Sequence, residues 1–179
     1  SVKDYVRYAS RALVMHEDGA GYLYAVKSSL AKTSRIIRFD KNVKQKEHPL
    51  FPTGNINSSL NANGPYLYWS ETVSGYRWAH ENSSVIMKYN AVTGRKQQLT
   101  SKTRYFNPAP GPDNKLLAAA FYKPQGGSQV HLVNAMTGEL LEIVEIPDGG
   151  QITEIAWSSI DTLIVMITRE NGTGIYKMD

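Results

Sequence analysis

Apolar residues along this chain come in short runs, some unbroken and some alternating with polar residues, and few stretches keep the 3.6-residue spacing of an amphipathic helix. Four apolar runs stand out: "YLYAVKSS" from Tyr22, "YLYWSETV" from Tyr66, "LLAAAFYK" from Leu116 and "LIVMITRE" from Leu163, at steps of 44, 50 and 47 residues. A second series follows them. "RIIRFDKN", "SVIMKYNAVTG", "QVHLVNAMTG" and "GIYKMD" reach Asp40, Asn90, Asn134 and Asp179, at steps of 50, 44 and 45 residues. Two of these end in the same frame, Asn-Ala-x-Thr-Gly, at 90–94 and 134–138. Series that advance together at a near-constant step mark a structural repeat.

Each repeat has a leading and a trailing piece. "RALVMHEDG", "INSSLNANG", "YFNPAPGPDN" and "ITEIAWSSID" precede the apolar runs and close on Gly, Asn or Asp, the residues that support turns. "RKQQLTS" and "ELLEIVEIP" follow the Thr-Gly turns. The second of these is short, rich in β-branched residues and stopped by Pro147-Asp148-Gly149-Gly150, so it predicts a strand and not a helix. The unit is therefore four antiparallel strands. Its second strand is apolar on both faces, as in a strand covered above and below, while the outer strands mix charge with hydrophobes. That contrast predicts an all-β fold, a β-propeller segment of about four blades. The approximate units are 11–54, 55–104, 105–150 and 151–179, with 2–9 as the outer strand of a preceding or closing blade. Leu116–Phe121 and Leu163–Ile167 are expected as buried inner strands, with Trp69 and Trp157 in the same interior.

"YFNPAPGPDNKLLAAAFY" and "ITEIAWSSIDTLIVMI" resemble the repeat of the TolB-like propellers: an apolar strand, a Pro/Asp/Gly-type turn, then a second apolar strand. "RWAHENSSVIMKYNAVTGRKQQLTSKTRYFNPAPGPDNK" resembles the six-bladed TolB-like (PD40, WD40-like repeat) domains of Bacteroidetes proteins, some of which adjoin a metallopeptidase-like domain. This copy departs from the pattern at Gly111 and Asn114, and at "SSIDT", which lacks the proline and glycine. The resemblance implies part of a six-bladed ring, periplasmic or otherwise in the cell envelope. It also implies a binding or scaffold module in a larger protein; the alternatives are an accessory gating or substrate-binding domain of a peptidase, or a degenerate relative of propeller polysaccharide lyases.

Composition narrows the chemistry. Of 179 residues, 41% are hydrophobic and 20% charged, a balance that folds, and the net charge of +4 is mild and scattered. Nucleic acid is therefore not expected as a partner. No apolar stretch is long enough for a membrane helix, and no membrane insertion is expected. The absence of cysteine removes disulfides, thiolate metal sites and cysteine nucleophiles. His16, His48, His80 and His131 are far apart, His-Glu-x-x-His does not occur, and strand neighbours such as His16–Glu17 or His80–Glu81 point to opposite faces. No catalytic residue, metal or cofactor is expected, and Ser128 in "QGGSQV" reads as the start of a strand. One segment differs. "SETVSGYRWAHENSS" lengthens the second unit and concentrates Tyr76, Arg77, Trp78, His80 and Glu81, residue types enriched where proteins bind. These five are the candidate binding residues. The expected partner is a protein or the remainder of a parent chain, with self-association through exposed blade edges.

Overall fold

A computed structural model describes residues 6–15, 21–30, 32–39, 46–56, 58–74 and 82–179. It is all-β, in four antiparallel sheets, and the described residues contain no α-helix, only a single 3₁₀ turn at Pro147–Gly149. The first sheet holds β1 (Val6–Met15), β2 (Gly21–Ser29), β3 (Arg35–Phe39) and β4 (Glu47–Pro52). The second holds β5 (Asn55–Ile56) and β6 (Asn61–Asn63), both on the same edge of β7 (Tyr66–Ser74), then β8 (Asn82–Asn90) and β9 (Arg95–Gln98). The third runs β10 (Tyr105–Pro110), β11 (Leu116–Tyr122), β12 (Ser128–Asn134) and β13 (Leu140–Glu145). The fourth has β14 (Gln151–Trp157), β15 (Leu163–Arg169) and β16 (Gly172–Met178). Within each sheet the strands pair in chain order, with β5 and β6 together in the place of one first strand, the meander of a propeller blade.

Alternate residues of the middle strands serve two interfaces. In the second sheet Leu67, Trp69, Val85 and Met87 pack against Tyr24, Val26 and Ile36 of the first, whereas Tyr68 and Ile86 pack against Tyr105, Leu117, Ala119 and Val133 of the third. In the third sheet Ala118, Ala120 and Val130 face the other way, onto Ile152, Ile155, Leu163, Val165 and Ile167 of the fourth. Ala118, Ala119 and Ala120 are all fully buried, small side chains where sheets approach on both sides. The run 163–167 behaves differently from the expectation: Leu163, Val165 and Ile167 are buried but Ile164 and Met166 only half-buried, because the fourth sheet is covered by the third on one face alone among the described residues. Trp69 is buried completely, while Trp157 is half-buried, its indole donating to Ala109 O at 2.9 Å.

Every first strand carries a register irregularity, between Ala9 and Arg11, Phe106 and Ala109, Ile152 and Glu154, and across the gap separating β5 from β6. A bulge frees carbonyls from the ladder, and they need donors. Successive strands supply them: Asn61 Nδ2 donates to Pro108 O at 2.9 Å, and Asn107 Nδ2, from a residue with φ of +48°, to Thr153 O at 2.8 Å. Pro108 is tolerated here because a bulge needs no N–H from it. The same irregularity revises the reading of the N-terminal region. Residues 6–9 pair with 26–29 as one continuous strand with 11–15, so the expected boundary between an outer strand and a new blade is a bulge at Ser10.

The two Asn-Ala-x-Thr-Gly frames fold alike. Asn90 Oδ1 accepts from the backbone N–H of Val92 and Thr93 at 2.9 and 3.1 Å, and Asn134 Oδ1 from Met136 and Thr137 at 2.8 and 3.0 Å. Gly94 and Gly138 close the turns at φ of +71° and +78°.

Candidate functional site

Each sheet has two ends. One carries the Asn-x-x-Thr-Gly turns; the other carries the connections from second to third strand and from fourth strand to the next sheet. Tyr76, Arg77, Trp78, His80 and Glu81 lie in 75–81, outside the described residues; the strands that flank them in sequence, β7 and β8, end at Ser74 and begin again at Asn82 at that second end. At the base of this connection lies a cleft of about 430 Å³, lined by Thr72, Ser83 and Ser84 from the second sheet and by Arg104, Phe106, Tyr122 and Lys123 from the start of the third.

The sequence brings these residues together through two pairings. Ser84 bridges Arg104 in parallel, its Oγ donating to Tyr105 O at 2.6 Å, and this fixes the start of β10 beside the start of β8. In β10 and β11 Phe106 and Tyr122 stack at 4.7 Å with rings 28° apart, and Tyr122 OH donates to Ile152 O at 2.6 Å. Burial pushes the Tyr122 phenol up, and nearby Glu154 adds to that, so it stays a neutral donor. Lys123 pairs with Glu145 at 3.1 Å, while no carboxylate among the described residues forms an ion pair with Arg104. The cleft thus has a stacked aromatic floor and a guanidinium with no ion pair among the described residues.

Behind it, buried His131 sits between Tyr105 OH (3.0 Å from Nδ1) and Gln129 Oε1 (2.9 Å from Nε2), stacked on Phe121 at 4.5 Å. Burial holds its imidazole below the ordinary histidine range, against an opposing effect of Glu145. Gln129 also bonds Glu145 through its amide, linking the histidine to the rim of the cleft. This chain supports the cleft wall and has no nucleophile in it. Ser128 is buried and accepts from Ile152 N at 3.0 Å; it staples the third sheet to the fourth, as Ser84 staples the second to the third. Among the described residues no group of three or more His, Asp or Glu could hold a metal ion.

Sequence reasoning missed Arg104, Phe106, Tyr122 and Lys123. Their signal was present in "RYF" at 104–106 and "FYK" at 121–123, basic and aromatic residues at strand ends that pair Tyr105 with Phe121. Only the neighbouring sheet turns that pairing into a cleft.

No protein-family model matches the chain, and no curated protein is similar to it in sequence. Solved structures do resemble it. TolB from Acinetobacter baumannii is similar with a TM-score of 0.66 at 13% identity, over 100% of this chain and 42% of that one. A putative TolB from Agrobacterium tumefaciens matches with a TM-score of 0.66 at 13% identity, over 98% of this chain and 58% of that one. The β-propeller domain of the Trilobed protease from Pyrococcus furiosus, described as having an open velcro topology, matches with a TM-score of 0.60 at 13% identity, over 98% of this chain and 55% of that one. This chain therefore spans roughly half the length of these structures, and the fold it shares with them is a TolB-like β-propeller.

Proposed function

We propose that the chain is a non-catalytic propeller module that binds a protein partner at the end of its sheets where the second-to-third-strand connections emerge, within a larger protein of the cell envelope. The observation that supports this most is the cleft of Arg104, Phe106, Tyr122 and Lys123 at the base of the connection that holds Tyr76, Arg77, Trp78, His80 and Glu81. Aromatic rings beside arginine are the side chains that anchor interfaces, and a guanidinium with no ion pair among the described residues suits a carboxylate or carbonyl of the partner. Placement in the periplasm or envelope belongs to the same proposal and rests on the repeat resemblance; cell fractionation checks it.

The reading is tested with a photo-crosslinking residue placed at Lys123, on the cleft, or at Val92, exposed at the opposite end. The expected outcome is a protein adduct of one defined mass from position 123, none from 92, and loss of the adduct when 76–81 are replaced by Gly and Ser. Equal labelling from both ends would overturn it.

A further inference from the structure

A second cleft, of about 230 Å³, lies at the corresponding end of the first sheet and is distinct from the site above. Lys27, Ser29, Lys32, Thr33, Arg35 and Glu47 line it. The carboxylate of Glu47 is already engaged: Lys27 Nζ is 2.5 Å from it and Tyr8 OH donates to it. Burial alone would raise this carboxyl, but the hydrogen bonds from Lys27 and Tyr8 outweigh burial and hold it below its ordinary range. Lys32 and Arg35 form no ion pair or hydrogen bond among the described residues. Three cations against one carboxylate leave two positive charges unmatched in the lining.

We propose that this cleft binds a tetrahedral dianionic group, a phosphate or sulfate, with Arg35 as the forked donor, Lys32 as the second charge, and Thr33 as a neutral donor. Guanidinium geometry matches two oxygens of such a group, the Thr33 hydroxyl can donate to another, and the two unmatched charges equal the charge of the ligand. Glu47, neutralised by Lys27 and Tyr8, leaves the pocket cationic. The inference does not depend on the partner-binding proposal, because it concerns other residues on another sheet.

The test titrates the whole chain with inorganic phosphate, sulfate and O-phosphoserine at constant ionic strength in chloride, reading backbone amide shifts around 28–35 and heats of binding. A saturable response is expected. Arg35→Gln should weaken it about tenfold, Lys32→Gln and Thr33→Ala about threefold each, as expected for losing a charge-assisted or a neutral hydrogen bond, and Lys102→Gln, at an exposed position between β9 and β10, should leave it unchanged. Lys32 is exposed, so its variant serves if Arg35→Gln fails to fold. Tighter binding of O-phosphoserine identifies a phosphoryl group on a larger molecule as the ligand, and tighter binding of the inorganic ions identifies the free anion. No saturable response to any of the three, or a response unaltered in both Arg35→Gln and Lys32→Gln, overturns the proposal.

Discussion

Gly94 and Gly138 hold the same place in the same turn with nearly the same φ, yet they are not equivalent. A Cβ on Gly94 would meet nothing within 4 Å, whereas one on Gly138 would lie 2.0 Å from the carbonyl oxygen of Leu99 in the second sheet. Gly94→Ala should therefore cost only the left-handed backbone penalty, about 1 kcal/mol. Gly138→Ala adds a backbone clash between sheets and should cost about 3 kcal/mol or more. Urea denaturation of the two variants checks the difference. His131 gives a residue-scale pH dependence. Its unfolded imidazole takes a proton near the ordinary histidine value of 6.5, while the buried one resists until lower pH. Below that value the unfolded state binds more protons, so stability is full above pH 6.5 and falls as pH drops towards the depressed folded value. His131→Asn should flatten this part of the curve, as read from urea midpoints between about pH 5 and 7.5.

At the scale of elements, the repeat is held by devices that recur from sheet to sheet: a bulged first strand, an asparagine that satisfies the next bulge, and a serine at the start of the third strand. The tryptophans test how far the interfaces differ. Trp69 is wholly buried, stacked on Phe51 at 6.0 Å, and donates to Glu71 at 2.8 Å. Trp69→Ala should cost about 3–5 kcal/mol, since it opens a cavity and strips a buried carboxylate of its donor. Trp157 is half-buried over Gly111, so half of its transfer energy is already forgone in the native state; Trp157→Ala should cost about 2 kcal/mol. Thermal melts of both variants give the ranking, and a larger loss for Trp157 would contradict it.

For the molecule as a whole, the fourth sheet decides association. Its face that no described residue covers presents half-buried Ile164 and Met166 opposite Lys177 and Ile175, the latter 70% exposed. Apolar side chains in register on an uncovered sheet favour contact with a like sheet. We propose that a second copy, or the remainder of a parent chain, covers it. Sedimentation velocity of this chain should show a mass average that rises with concentration, and Ile175→Lys with Met166→Glu should return it to the monomer. A strictly monomeric wild type at all concentrations would contradict this.

Sequence alone determined the all-β class, the repeat and the turn chemistry, because strand period, apolar runs and the Asn-x-x-Thr-Gly geometry depend on neighbouring residues in the chain. It also marked the unusual composition of 76–81. Tertiary structure decided what depends on distance in the chain: that residues 6–9 continue one strand with 11–15, and that among the described residues Trp157 and the run 163–167 are covered on one side only. It likewise decided that Arg104 and Phe106 meet Ser84 and Tyr122 in a cleft, and that Lys32 and Arg35 line another together. An apolar alternation specifies that a face is buried but carries no record of which neighbour covers it, and a cleft between sheets exists only once both have packed.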